Sequence, residues 1–161
     1  MQPSTPPVQL DAIDTAILAT LQREGRISNQ ALAQQVHLSP SACLRRVKAL
    51  EDAGVIAGYV ALLNPRAIGR PGTSYTIINL ESTQPAVRQA FEQAVADTPE
   101  ILDCHYVAGA NDYLVRFTYR DAEDLERFHA EVLARLPGVV RSNSMLVLRT
   151  VKRTTALPLP G

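Results

Sequence analysis

Apolar residues recur at helical spacing through the first third of the chain and alternate in twos through much of the rest. Leu10, Ile13, Ile17, Leu18 and Leu21 follow the i, i+3, i+7, i+8 pattern of an amphipathic helix. Asp11 and Asp14 lie at its N-terminal end, where carboxylates are favoured, and Gly25 stops it. Ser28 can cap a second, shorter helix over residues 29–36, with Ala31, Leu32 and Val36 as its inner face. Ser39 caps a third, and Pro40 stands at the first helical position, where a missing N–H costs nothing. In that third helix Cys43, Val47 and Leu50 fall on one side, and Ser41, Arg45 and Lys48 fall on the other. It ends near Gly54, a good left-handed cap. Three short helices with this punctuation predict a helix-turn-helix domain. A small helical bundle that merely packs would show the same pattern.

The second half has a different rhythm. Residues 73–81 read as a strand, 85–97 as a helix (Val87, Phe91, Ala94, Val95), and 101–107 as a strand. Over residues 113–119, Tyr113, Val115, Phe117 and Tyr119 share one face and Leu114, Arg116 and Thr118 the other. Asp121 opens a helix with Leu125, Phe128, Val132 and Leu136 inward, and 139–151 is the last strand. The order βαββαβ predicts a ferredoxin-like split, so the chain is of the α+β class. A weak repeat supports it: residues 98–102 and 136–140 each join a helix to a strand. Such a fold leaves one sheet face bare of its own helices. That face is expected to hold apolar and aromatic residues and to be covered by a second subunit.

Between the halves, residues 55–63 are apolar, β-branched and aromatic, and predict a strand that ends the first domain as a wing or begins the next sheet. Residues 64–72 are rich in Gly and Pro and read as a hinge. The expected domains are 8–63 (helix-turn-helix and following strand) and 73–155.

Charge changes the picture only locally. The chain has 16 basic and 16 acidic residues, so no global signal for nucleic acid exists. Yet Arg23, Arg26, Arg45, Arg46 and Lys48 lie in a stretch whose only acid is Glu24. A patch of this size predicts modest, salt-sensitive phosphate binding per protomer, of the kind usually doubled in a dimer on two half-sites. No apolar run is long enough to span a bilayer, and residues 1–7 are polar and Pro-rich, unlike a signal peptide. Cys43 lies on an inner helix face and reads as a buried, reduced thiol. A cytoplasmic protein without membrane contact is the expectation.

Candidate chemistry falls into two groups. Ser41, Arg45 and Lys48 are candidates for base or phosphate contact in a major groove. Arg46, a quarter-turn from Arg45, either binds phosphate or braces the fold through an acid. Ser39 and Ser28 could place backbone amides at phosphates. The second group is the turn Gly109-Ala110-Asn111-Asp112-Tyr113. Its amides and polar side chains could hold a carboxylate, or it is an ordinary hairpin turn. There is no metal-ligand cluster, nucleophilic triad or phosphate loop, and no cofactor is expected. Of the histidines, His37 sits in the helix-turn-helix turn, His129 on the last helix, and His105 mid-strand, where it could face a pocket.

An ordered set of residues running almost end to end resembles the leucine-responsive/asparagine-regulator (Lrp/AsnC) family of transcription factors. It comprises Leu10-Asp11 with Asp14 and Ile17-Leu18, Gly25-Arg26-Ile27-Ser28, Leu32-Ala33, and Leu38-Ser39-Pro40-Ser41 with Cys43 and Arg46. It continues through Leu50-Glu51, Gly54-Val55-Ile56, Gly58-Tyr59, Val107-Ala108-Gly109, Asp112-Tyr113-Leu114, and the tail Val151-Lys152, Thr154-Thr155 and Leu157-Pro158-Leu159. The resemblance implies a winged-helix-like helix-turn-helix joined to a ferredoxin-like domain that dimerises through its sheet and assembles into octamers. It implies double-stranded DNA as partner, with contacts drawn from Ser28, Asn29, Ser39, Ser41, Arg45, Arg46 and Lys48. It also implies a small effector, usually an amino acid, near Gly109, Asn111, Asp112 and Tyr113, with Ser142 and Ser144 of the last strand facing the same pocket. Some relatives with this plan act as sirohaem decarboxylases through a histidine-containing pocket. The Ser41/Arg45/Lys48 face favours DNA and a regulator rather than an enzyme.

Overall fold

The computed structural model describes residues 8–160. It comprises two compact units: residues up to Ala61 together with those from Lys152 onward, and Leu62–Val151.

The first unit is built on α1 (Ala12–Arg23), α2 (Asn29–Gln35) and α3 (Pro40–Asp52). Each begins on an oxygen-bearing cap: Asp11 accepts from the Asp14 amide at 2.8 Å, Ser28 from Ala31 at 3.2 Å and Ser39 from Ala42 at 3.2 Å. Asp14 reaches back to the Asp11 amide, closing a capping box. The core is Ile17, Leu18, Leu32, Ala33, Val36, Cys43 and Leu50. Its apolar burial is the main stabiliser of so small a unit.

The α2–α3 turn is set by backbone geometry. His37 adopts φ 55°. Its N–H donates to the Gln34 carbonyl at 3.3 Å, and that of Leu38 donates to Ala33 at 2.9 Å. These are the two hydrogen bonds of a Schellman cap, made here with a non-glycine residue in the left-handed region. Asn29 Nδ2 donates to the Pro40 carbonyl at 2.8 Å and fixes α2 to the start of α3. Gly54, at φ 70°, closes α3 with the same motif. The C-terminal tail from Lys152 belongs to this unit, so the second unit ends at Val151 and not at the expected residue 155. Gln22 donates to the Leu157 carbonyl and accepts from its N–H at 2.6 Å, and Leu159 packs on the helical core.

The expected strand over 55–63 does not form. Tyr59, Val60, Leu62 and Leu63 are exposed, and no ladder includes them. A strand needs a neighbour to pair with, and both neighbours of β1 are supplied by other segments. The 64–72 hinge is a local turn in which Arg70 N–H donates to the Pro65 carbonyl at 2.8 Å, and Gly72 already begins β1.

The second unit runs β1 (Gly72–Leu80), α4 (Pro85–Ala96), β2 (Ile101–Tyr106), β3 (Tyr113–Tyr119), α5 (Ala122–Arg127) and β4 (Val139–Leu146). Its antiparallel sheet has the order β2-β3-β1-β4, the ferredoxin-like βαββαβ arrangement. α5 continues as a π-turn over Phe128–Val132 and a 3-10 turn over Leu133–Arg135. The extra residue in the π-turn rotates the helix. Leu133 therefore joins Phe128 and Leu136 in the core, a position that strict 3.6-residue spacing does not pick out. β4 ends at Leu146 and not at 151, because its partner β1 begins at Gly72: the Val147 N–H still reaches Thr73, and beyond it there is no strand to pair with.

One sheet face carries the core, with Ile78, Leu80, Tyr113, Val115 and Phe117 packed on Phe91 and Phe128. The aromatic face of β3 thus lies under the helices. The opposite, open face is mixed rather than apolar throughout. By register it holds Tyr75, Ile77, Leu114 and Met145 beside an Arg116–Asp103 ion pair, Asn79, His105 and Asn143.

Candidate DNA interface and effector loop

On α3, Ser41, Arg45 and Lys48 lie exposed on one side, and Cys43 and Leu50 are buried on the other. Ser39 combines its cap with a 3.2 Å contact to the Ser41 hydroxyl. Arg46 has a different role from Arg45. Its Nη1 donates to Asp11 at 2.7 Å and to Asp14 at 2.8 Å, the two carboxylates that cap α1. Of the two roles expected for Arg46, the brace through an acid is the one this geometry displays. The Asp14 amide and then Arg46 hold the Asp11 carboxyl below its usual range. Asn29 and Ser28 are likewise engaged, one tying α3 to α2 and the other capping α2. Leu44, absent from the expected contact set, is 57 % exposed on the same stripe as Ser41, Arg45 and Lys48. Its helical phase was the available signal.

The loop after β2 is pinned to the end of β1. Val107 N–H donates to the Asp112 carbonyl at 2.9 Å, and Asp112 N–H donates to Ile78 at 3.1 Å. The Asp112 carboxylate accepts from the Leu80 amide at 2.8 Å, and Asn79 Nδ2 donates to the Ala110 carbonyl at 3.1 Å. Gly109 has φ 130°, open to glycine and strained for other residues. Asn111 is half-buried beside Asp112.

Tyr113, the last residue of the expected set, has its side chain in the core. It is 2 % exposed, packs on Phe91, and donates its hydroxyl proton to Glu92 at 2.6 Å. Burial, with Glu92 adding to it, pushes this phenol well above its ordinary range. Ser142 pairs with Ile78 from the far side of β1, two strand spacings or ~10 Å from Tyr113. It lies at the same end of the sheet as the loop, and Ser144 lies opposite Thr76.

Ser144 belongs to a directional chain that sequence reasoning missed. His129 Nδ1 lies 2.8 Å from the Leu125 carbonyl, which can only accept, so Nδ1 carries the proton and donates. In the neutral ring Nε2 then accepts from the Ser144 hydroxyl at 2.7 Å, and Ser144 accepts in turn from Thr76 at 2.7 Å. The π-turn places His129 above β4, edge-on to Phe117 and Phe128. With that ring neutral, Ser144 offers an incoming group an acceptor and no proton. His105 does not face this side: it lies exposed on the open sheet face opposite Leu114. The three histidines occupy three separate places, and the two nitrogens of His129 are both engaged.

A second polar centre lies under α5. The buried Asp124 carboxylate accepts from the Arg120 amide at 3.0 Å and from Arg127 Nη2 at 3.1 Å, with Arg70 Nη2 at 3.5 Å. The Arg120 amide first, then the Arg127 and Arg120 side chains, lower its pKa to about 2 against the opposing effect of burial. Among the described residues no helix is long and apolar enough to cross a membrane.

Comparison with known proteins agrees with both halves. Residues 10–57 match the model of a winged helix-turn-helix DNA-binding domain, and residues 73–157 match the Lrp/AsnC ligand binding domain. The leucine-responsive regulatory protein of Haemophilus influenzae is 43 % identical over 150 residues, 93 % of this chain and 90 % of that protein. Its Escherichia coli K12 counterpart is 41 % identical over 152 residues, 94 % of this chain and 93 % of that one. The crystal structure of a Neisseria meningitidis transcriptional regulator in complex with L-methionine superposes with a TM-score of 0.89 at 37 % identity, covering 93 % of this chain and 97 % of that one. A capped, basic-faced α3 in a helix-turn-helix, joined to a ferredoxin-like ligand-binding unit, places this chain in the Lrp/AsnC family of DNA-binding transcriptional regulators.

Proposed function

We propose that the chain is a cytoplasmic, sequence-specific regulator that reads double-stranded DNA with α3 and responds to an amino acid held around the 107–112 loop. The carrying observation is the outer face of α3. Ser41, Arg45 and Lys48 are exposed, while the neighbouring Arg46 is paired with Asp11 and Asp14. Cations held free on a capped helix suit phosphate and base edges. Ser28 and Ser39 contribute at the helix N-termini, where backbone amides can meet phosphate.

The effector reading rests on Gly109, Asn111 and Asp112, with Ser142 and Ser144 across β1. The Neisseria relative was crystallised with L-methionine, an amino acid. Asp112 retains oxygen lone pairs for an ammonium, and Ser144 adds an acceptor. Tyr113 supports the loop from the core rather than lining a pocket. The role is regulatory, not catalytic.

Self-assembly completes the proposal. Tyr75 and Met145 on the open sheet face are exposed, as are Val60, Leu62, Leu63, Leu148 and Val151. So much exposed apolar surface favours a dimer, with octamers built from it. A thermal-shift screen of the full chain with the twenty amino acids tests the effector reading, because a ligand that binds only the folded protein must raise its melting temperature. At least one amino acid is expected to do so, and the effect is expected to fall in Asp112→Ala. No shift from any amino acid would contradict the reading.

A further inference from the structure

We infer that Leu44 reads sequence by packing its side chain against the 5-methyl group of a thymine in the major groove. The inference rests on the DNA-reading role of α3 and names what one position of that helix recognises. Leu44 is 57 % exposed, and among the described residues it is the one large apolar side chain exposed on α1, α2 and α3. Cys43 before it and Leu50 later in the helix are buried, so its exposure is not a fault of the helix's phase.

Its neighbours define the partner. Ser41 is one turn before it, Arg45 is adjacent, and Lys48 is one turn after it, all three exposed. A protein surface that covered Leu44 would also have to desolvate Arg45 and Lys48 and supply acids to pair them. A duplex satisfies the whole stripe at once. Phosphates meet the cations, base edges meet Ser41 and Arg45, and a methyl group meets the leucine. Thymine alone among the four bases carries a methyl group on the major-groove edge. Leu44 also lies in the first two turns of α3, the part of a recognition helix that approaches base edges.

The experiment starts from a duplex selected by the wild-type full chain out of a random-sequence pool. Each thymine in turn is replaced by uracil, which removes only the methyl group. Affinities for wild type, Leu44→Ala and Leu44→Met are then measured at one salt concentration. Loss of one buried methyl contact lowers affinity by about fourfold per half-site. Wild type is expected to show that loss at one thymine per half-site, Leu44→Met to keep it, and Leu44→Ala to bind more weakly yet ignore the replacement. Uracil tolerated at every position by wild type, or equal sensitivity in Leu44→Ala, would overturn the assignment. So would a change in the sedimentation of DNA-free Leu44→Ala, which would assign Leu44 to a contact between copies. If no duplex is enriched at all, the DNA reading of α3 fails first, and that result is distinct from a failure of Leu44.

Discussion

The outer face of α3 and the loop at 107–112 are both polar, and they differ in what their polar groups already hold. On α3, Arg45 and Lys48 stand free in solvent, and Ser41 is exposed with only its neighbour Ser39 against its hydroxyl. Around the loop, Asp112 holds the Leu80 amide, Tyr113 is bonded to Glu92 in the core, and Ser144 is linked to His129 and Thr76. The first surface is complete in one chain and can meet a large polyanion directly. The second is a frame whose polar groups are mostly engaged within the chain.

Variants can break that contrast, beginning with the most engaged polar group. Asp124→Ala leaves three arginines around a vanished carboxylate and the Arg120 amide without its acceptor. It should lower unfolding free energy by about 3 kcal/mol in urea titrations. The pH dependence has a definite sign. The folded pKa of about 2 lies below the ordinary 3.8, so the stabilisation is fully present above pH 3.8. It amounts to about 2 kcal/mol and is lost as pH falls toward 2. Asp124→Asn should flatten that acid limb, and an unchanged limb would remove Asp124 as its source.

Asp112→Ala should cost about 1–2 kcal/mol, because the Leu80 amide loses its partner under the loop. A stability equal to wild type in the same urea titration would mean that the carboxylate is free for ligand, as the α3 cations are, and the contrast would fail. At the small end, His37→Gly should raise stability by up to about 1 kcal/mol, since glycine adopts φ 55° without strain. A loss in thermal melts would show that the histidine side chain does more than occupy the turn.

Legibility in the sequence followed the same divide. The α3 face could be read because cap, proline and apolar phase are local signals, although Leu44, which shares that phase, was not among the expected contacts. The alternation of β3 was equally local, and it returned the strand at Tyr113–Tyr119. Which β3 face lay inside depended on α4 and α5, and the aromatic side proved to be the core. Arg46 could not be assigned because its partners, Asp11 and Asp14, lie more than 30 positions away and meet it only in the folded unit. The relay through His129 needed the π-turn, which leaves no mark in an apolar pattern of period 3.6. The missing strand at 55–63 is the converse case, a β-prone segment with no neighbour in its own chain.

On the proposed reading, adjacent arginines on α3 have opposite tasks, Arg45 outward to DNA and Arg46 toward the α1 cap. Arg45→Ala and Arg46→Ala compared in parallel, by titration of a selected duplex over a series of salt concentrations and by urea unfolding, test it directly. Arg45→Ala should weaken DNA binding and flatten the salt dependence by about one unit per protomer, with stability unchanged within about 0.5 kcal/mol. Arg46→Ala should lower stability measurably more than Arg45→Ala does and, under conditions where it is fully folded, keep the wild-type salt slope. The reverse pattern, a stable Arg46→Ala with a flattened slope beside an Arg45→Ala that binds like wild type, would contradict the account.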